Sequence, residues 1–195
     1  MKTPILIFTA CLFFGACNND GKDSVQQADS ANKAKLDSPA ASSNQTTITV
    51  NKTDADFLVK AMDGGMMEVE LGNVAKQKAK NSRVQNFADM IVADHSAAGD
   101  KIKNLAAARN VTLPAATGDE NSKMISKLSE KKDFDKEYID AMVDDHKKDI
   151  KEFEKMSSDV QDGDIRTFIT NTLPVLRKHL DSCSAIQGSL KMMHK

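Results

Sequence analysis

From Thr53 onward, apolar residues recur at spacings of three and four, and no segment alternates with a period of two. This is the repeat of an amphipathic helix, and it confines the chain to packing rod against rod. Proline, which interrupts helices, falls in this region only at 114 and 174. Trp is absent, so the core rests on Leu, Ile, Val, Met and Ala, a mix that favours helix over strand. The repeat predicts four long helices, over about 54–79, 83–109, 134–157 and 164–192. Thr53 or Asp54 is the expected cap of the first, and Ser82 with Gln85 forms a capping box for the second. Gly163 marks a tight turn before the fourth. Between the second and third lies a long connection from Asn110 to Lys132, broken by Pro114 and Gly118, where Met124, Ile125 and Leu128 fit a short helix. The short turns make neighbouring helices antiparallel. The long connection can return along a bundle of about 45 Å, which about 14 extended residues cover. The expected fold is therefore all-α, a ferritin-like four-helix bundle over 53–195 with one crossover between its second and third helices.

The first seventeen residues stand apart from this pattern. Lys2 precedes an apolar run from Pro4 to Phe14, too short for a spanning helix of about 20 residues. The run reads as a secretory signal peptide. Gly15 and Ala16 before Cys17, followed by the polar NNDGKDS, resemble the lipobox of bacterial lipoproteins, in which that cysteine becomes the lipidated first residue. Phe14 departs from the commoner Leu, and ordinary cleavage near Ala16 would leave Cys17 incidental. The lipobox reading makes this a cell-envelope protein held to a membrane through Cys17, expected at the outer membrane and facing the periplasm or the surface. Residues 18–52 are polar, lack aromatics and show no periodicity, so they read as a disordered tether. Only Cys183 would remain in the mature domain, which leaves no internal disulfide. The net charge of −1 and the lack of a basic patch give no reason to expect nucleic acid.

Two stretches, FADMIVADH (87–95) and YIDAMVDDH (138–146), set an Asp-His pair into a helical pattern. Helical phase puts His95 on the stripe of Ala88 and Ile91, and His146 one turn from Met142 and from Ile150. His179 falls between Leu176 and Cys183, and Glu68 lies in the apolar arc of the first predicted helix, with Glu70 opposite. Levels agree as well. Residues 68 and 95 are equidistant from the Asn81-Ser82 turn, and 146 and 179 from the Asp162-Gly163 turn. At about 1.5 Å per residue, these turns at opposite ends bring all four side chains to one central layer.

Imidazole and carboxylate suit zinc, copper or iron, so Glu68, His95, His146 and His179 are candidate metal ligands. A metal-free hydrogen-bonded cluster that fixes helix register fits the same residues, in a structural or interaction module with a protein partner. Asp94 and Asp145 lie about 100° from the neighbouring histidines and are expected at the bundle edge. Asp149, three residues after His146, could orient that ring. Cys183, four after His179, could join a soft metal site or act as a small hydrophobe. Met192, Met193 and His194 at the end could grip Cu(I) or fray. The Glu-x-x-His pairs of di-iron bundles are missing, since Val92, Val143 and Leu176 occupy those positions, which argues against oxygen-activating di-iron chemistry and iron storage. No nucleophile or cofactor motif marks an enzyme.

GGMMEVELG, VADH, VDDH and LPVLRKHL, in that order, resemble the bacterial domain-of-unknown-function 4142 family. The matching positions are Glu68, Glu70, Asp94, His95, Asp145, His146, Pro174 and His179. The resemblance implies a ferritin-like fold and an envelope location, and it supplies no activity.

Overall fold

The computed structural model describes residues 23–37 and 49–193. Residues 1–17, with the expected signal peptide and Cys17, and His194 lie outside the described residues. Six helices are present among those described, and no strand: α1 (Ser24–Asp37), α2 (Lys52–Lys78), α3 (Ser82–Ala108), α4 (Asp119–Ser129), α5 (Phe134–Asp159) and α6 (Gly163–Met193). None is long and apolar enough to cross a membrane.

The helix ends show how the rods are ordered. At one end, Asp135 at the start of α5 accepts from the backbone N–H groups of Lys80 (3.0 Å) and Asn81 (2.8 Å) in the α2–α3 turn. At the other, Asp54 at the start of α2 accepts from Gln161 N (3.1 Å) and Asp162 N (2.9 Å) beyond α5. Arg109, after α3, donates to Asp162 (2.9 Å) and Asp164 (2.8 Å) at the start of α6. The two helix turns thus sit at opposite ends, and 109–133 carries the chain back along the bundle. Helices α2 and α3 form one antiparallel pair and α5 and α6 another, with α2 on α5 and α3 on α6 joining the pairs.

Capping differs from the expected pattern. Asn51 caps α2, accepting from Asp54 N at 2.9 Å, so neither Thr53 nor Asp54 is the cap. Asn81 caps α3 through Arg83 N, and Gln85 turns back to the Ala79 carbonyl instead of closing a box with Ser82. Asparagine serves this role as well as serine does. Asn110 follows α3 with φ 56°, a left-handed conformation that Asn tolerates.

Helix α1 stands where a tether is expected, over 24–37, while 18–22 and 38–48 of that stretch lie outside the described residues. It buries little apolar surface beyond Ala28, and is held by polar contacts with the crossover. Asn32 is buried and exchanges two hydrogen bonds with the Thr112 backbone, at 2.8 and 2.7 Å. Lys35 donates to the Asn110 carbonyl (2.8 Å) and to Thr112 Oγ1 (2.7 Å), and Ser24 Oγ accepts from Ala115 N (2.9 Å). Apolar periodicity cannot detect a helix ordered in this way. The crossover is fixed in turn to α2, where Asp63 accepts from Gly118 N (2.7 Å) and Asn121 Nδ2 (2.8 Å), and Thr117 Oγ1 donates to Glu70.

The interior has two apolar clusters stacked along the bundle. One gathers Leu71, Val84, Ile91, Tyr138, Ile139 and Met142, and the other Leu58, Ile102, Phe153, Ile165, Ile169 and Leu176. Along each long helix the sequence passes from one cluster to the other through Glu68, His95, His146 or His179.

Candidate metal centre

A polar layer closes the gap between the two apolar clusters. Glu68 on α2, His95 on α3, His146 on α5 and His179 on α6 have relative exposures of 1%, 8%, 0% and 0%. Each helix delivers its residue inward because the flanking positions one turn away are core positions, such as Leu71, Ile91, Met142 and Leu176. At Gly72 a Cβ would lie 2.7 Å from Val92 Cγ2 and 3.5 Å from the Ala88 carbonyl oxygen, so this glycine sets the close approach of α2 to α3. The three imidazoles meet with centroids 5.8 Å (His95–His146), 5.3 Å (His95–His179) and 5.3 Å (His146–His179) apart.

Each ring is tied at one nitrogen and free at the other. His146 Nδ1 donates to the Met142 carbonyl at 3.0 Å. His179 Nε2 donates to Asp94 Oδ2 at 2.9 Å, and His95 Nδ1 lies 2.7 Å from Glu68 Oε2. A neutral imidazole that donates from one nitrogen offers a lone pair on the other. Those other nitrogens, His95 Nε2, His146 Nε2 and His179 Nδ1, are buried and have no partner among the described residues. One ring nitrogen from each histidine can be chosen so that the three lie within 4.8 Å of one another.

A family model described as a domain of unknown function, DUF4142, matches residues 24–186. The chain belongs to this family. The match includes α1, in keeping with its place in the folded body. No curated protein matches the sequence. Among solved structures, the fold is similar to CopM in the Cu(II)-bound form, with TM-score 0.62 and 14% identity over 70% of this chain and 97% of that one. It is also similar to a DUF305 fragment from Deinococcus radiodurans, with TM-score 0.64 and 10% identity over 72% of this chain and 98% of that one. At such identities the likeness is one of fold.

In this DUF4142 chain the electrostatics keep the imidazoles neutral. Burial lowers His95, outweighing the charges of Asp149, Asp145 and Asp94. Burial, with the neighbouring His95 and His179, takes His146 down to about 3. Burial also lowers His179 despite its bond to Asp94. The acids move the other way. Burial and then the Asp145 charge raise Glu68 well above the carboxylate range, and burial raises Asp145. Burial, with Glu68 and Asp145 nearby, takes Asp149 up to about 8.

The expected site residues thus divide by role. The three histidines converge. Glu68 stands behind His95, on the nitrogen turned away from the free one, and its carboxylate groups with Asp145 and Asp149 within 4.8 Å. It is therefore placed to orient the His95 ring. Asp94 orients His179 from the edge of the bundle. Asp149 does not orient His146, because the Met142 carbonyl one turn back already occupies Nδ1. Cys183 donates to the Leu180 carbonyl at 3.3 Å and packs in the apolar cluster. Burial and the charge of Glu68 raise the Tyr138 phenol, whose buried hydroxyl has no partner. Phase arguments passed over Tyr138 because an aromatic on an apolar stripe reads as core.

Proposed function

We propose that this protein is a lipid-anchored envelope protein whose ferritin-like bundle holds one divalent transition metal ion on His95, His146 and His179, in metal handling or stress protection. The observation that carries the reading is the set of three buried, partnerless ring nitrogens whose opposite nitrogens are all engaged. A buried polar atom without a partner is costly, and one cation within reach of all three rings would relieve them together. Outer hydrogen bonds of this kind fix the tautomer and raise the basicity of metal-bound histidines. With His146 at about 3, no proton competes for its lone pair at neutral pH. Burial raises the adjoining carboxyls Glu68, Asp145 and Asp149, and the Asp145 charge adds to the shift at Glu68 and Asp149. A cation beside them would favour their charged forms and be balanced by that charge.

Imidazole ligands suit zinc, copper(II) or iron(II). CopM, similar in fold, is Cu(II)-bound, which makes copper the first metal to test. The membrane anchor rests on the lipobox-like run ending at Cys17. Elemental analysis of protein purified without chelator should find about one metal per chain, lost in His146→Ala and in His179→Ala. The competing account, a polar layer that only fixes helix register, predicts no bound metal and loss of thermal stability in the same variants.

A further inference from the structure

Beside the polar layer a cavity of about 190 Å³ opens between α2, α3, α5 and α6. Its two ends differ in chemistry. Glu68, Asp94, His95, Asp149 and His179 line one end, and His95 and His179 each keep a ring nitrogen without a partner. Phe57, Phe153, Phe168, Ile102 and Leu176 line the other, with the Phe57 and Phe153 rings edge to face at 5.1 Å.

The space exists because two walls are built from small residues: Ala61, Gly64 and Gly65 on α2, and Ala97, Ala98 and Gly99 on α3. Helix packing does not explain these glycines. A Cβ at Gly64 or Gly65 would meet nothing within 4 Å, unlike Gly72. Glycine disfavours a helix relative to alanine, so a run of it that no close contact requires is accounted for by the room it leaves. Gly65 is a wall of this cavity.

Building on the three-histidine metal reading, we infer that this cavity binds a small molecule with a planar apolar body and an uncharged nitrogen donor, the donor taking an exchangeable position on the metal. The apolar end selects the body. An apolar cavity of about 150 Å³ stays dry and holds benzene, so this one has room for a single ring. The charge at the other end selects the head. Glu68, Asp94 and Asp149 face the site and Lys60 at the rim is already near Glu152 (3.9 Å), so an anionic head is disfavoured and a neutral nitrogen is favoured.

The test uses the full chain loaded with Cu(II), its copper content checked by elemental analysis before and after each titration. Imidazole and 4-phenylimidazole are titrated in turn and followed by the copper EPR spectrum. The expected result is that 4-phenylimidazole binds at least about tenfold more tightly than imidazole, since burial of its ring is favourable. Gly65→Leu, which fills the cavity from α2, should remove that preference with copper stoichiometry unchanged. Ala98→Leu does the same from α3 and stands in if the first variant folds poorly. Equal affinities for the two probes, or a preference that survives both fillings, would overturn the inference and leave the metal site standing. Protein that holds no copper would overturn both, and the elemental analysis identifies that case.

Discussion

The two ends of the bundle and its waist solve the burial problem in opposite ways. At the ends, Leu71, Ile139 and Met142 on one side and Leu58, Ile165 and Ile169 on the other are fully buried against one another and ask for nothing else. At the waist, Glu68, His95, His146 and His179 are buried as deeply, yet Glu68 Oε1 and one nitrogen of each ring lack a partner. The apolar ends are held by packing, whereas the waist leaves these polar atoms without a partner among the described residues. Stability is therefore concentrated at the ends, and the proposed cation would bind in the middle.

That contrast predicts effects of decreasing size. Leu58→Ala should cost about 2–5 kcal/mol in chemical denaturation, by lost burial and a cavity, while metal stoichiometry stays intact. Gly72→Ala should cost about 1–3 kcal/mol, because the new methyl meets Val92 Cγ2 at 2.7 Å in a packed region. If that variant is as stable as the parent, the close approach of α2 to α3 is not set by Gly72. Asp94→Asn acts on the waist alone: metal affinity should fall by about 10–100-fold through loss of the carboxylate behind His179, with little change in metal-free stability. An unchanged dissociation constant would separate Asp94 from the site.

The pH dependence of the metal-free protein is also set by the waist. Asp149 titrates at about 8 when folded against 3.8 ordinarily, so between those values the folded state binds more protons and stability falls as pH rises. His146 titrates at about 3 against 6.5, so its contribution is lost as pH falls from 6.5 toward 3. Above 6.5 His146 adds no slope, and stability should decline from pH 6.5 to 8, by at most about 1.4 kcal/mol per pH unit for each proton. Asp149→Asn should flatten that decline, and a parent whose melting temperature rises over the same interval would contradict the assignment. The smallest effect belongs to Gly65→Ala, expected to stabilise by about 0.5–1 kcal/mol because its Cβ enters open space. The opposite signs expected at Gly65 and Gly72 restate the comparison at the scale of one methyl group.

Much of this was legible in the sequence because helical phase is a strong signal. A spacing of three and four placed Glu68, His95, His146 and His179 on inward stripes, and equal distances from two turns placed them at one level; in the structure all four are buried. Phase does not say which atom of a side chain faces which neighbour. The role of Glu68 behind His95, and the capture of His146 Nδ1 by the Met142 carbonyl, depend on rotamers that spacing does not encode. Helix α1 was hidden for a different reason. Its order comes from Asn32, Lys35 and Ser24 bonding to the backbone and side chains of a loop about eighty residues away, a kind of stabilisation with no period to read.

The most direct test of the account is metal-edge X-ray absorption on the copper- or zinc-loaded full chain. A coordination shell with three imidazole nitrogens at about 2.0–2.1 Å, reduced in His146→Ala, is the result expected. A shell of oxygen or sulfur donors without imidazole scattering, unaltered by that substitution, would contradict it.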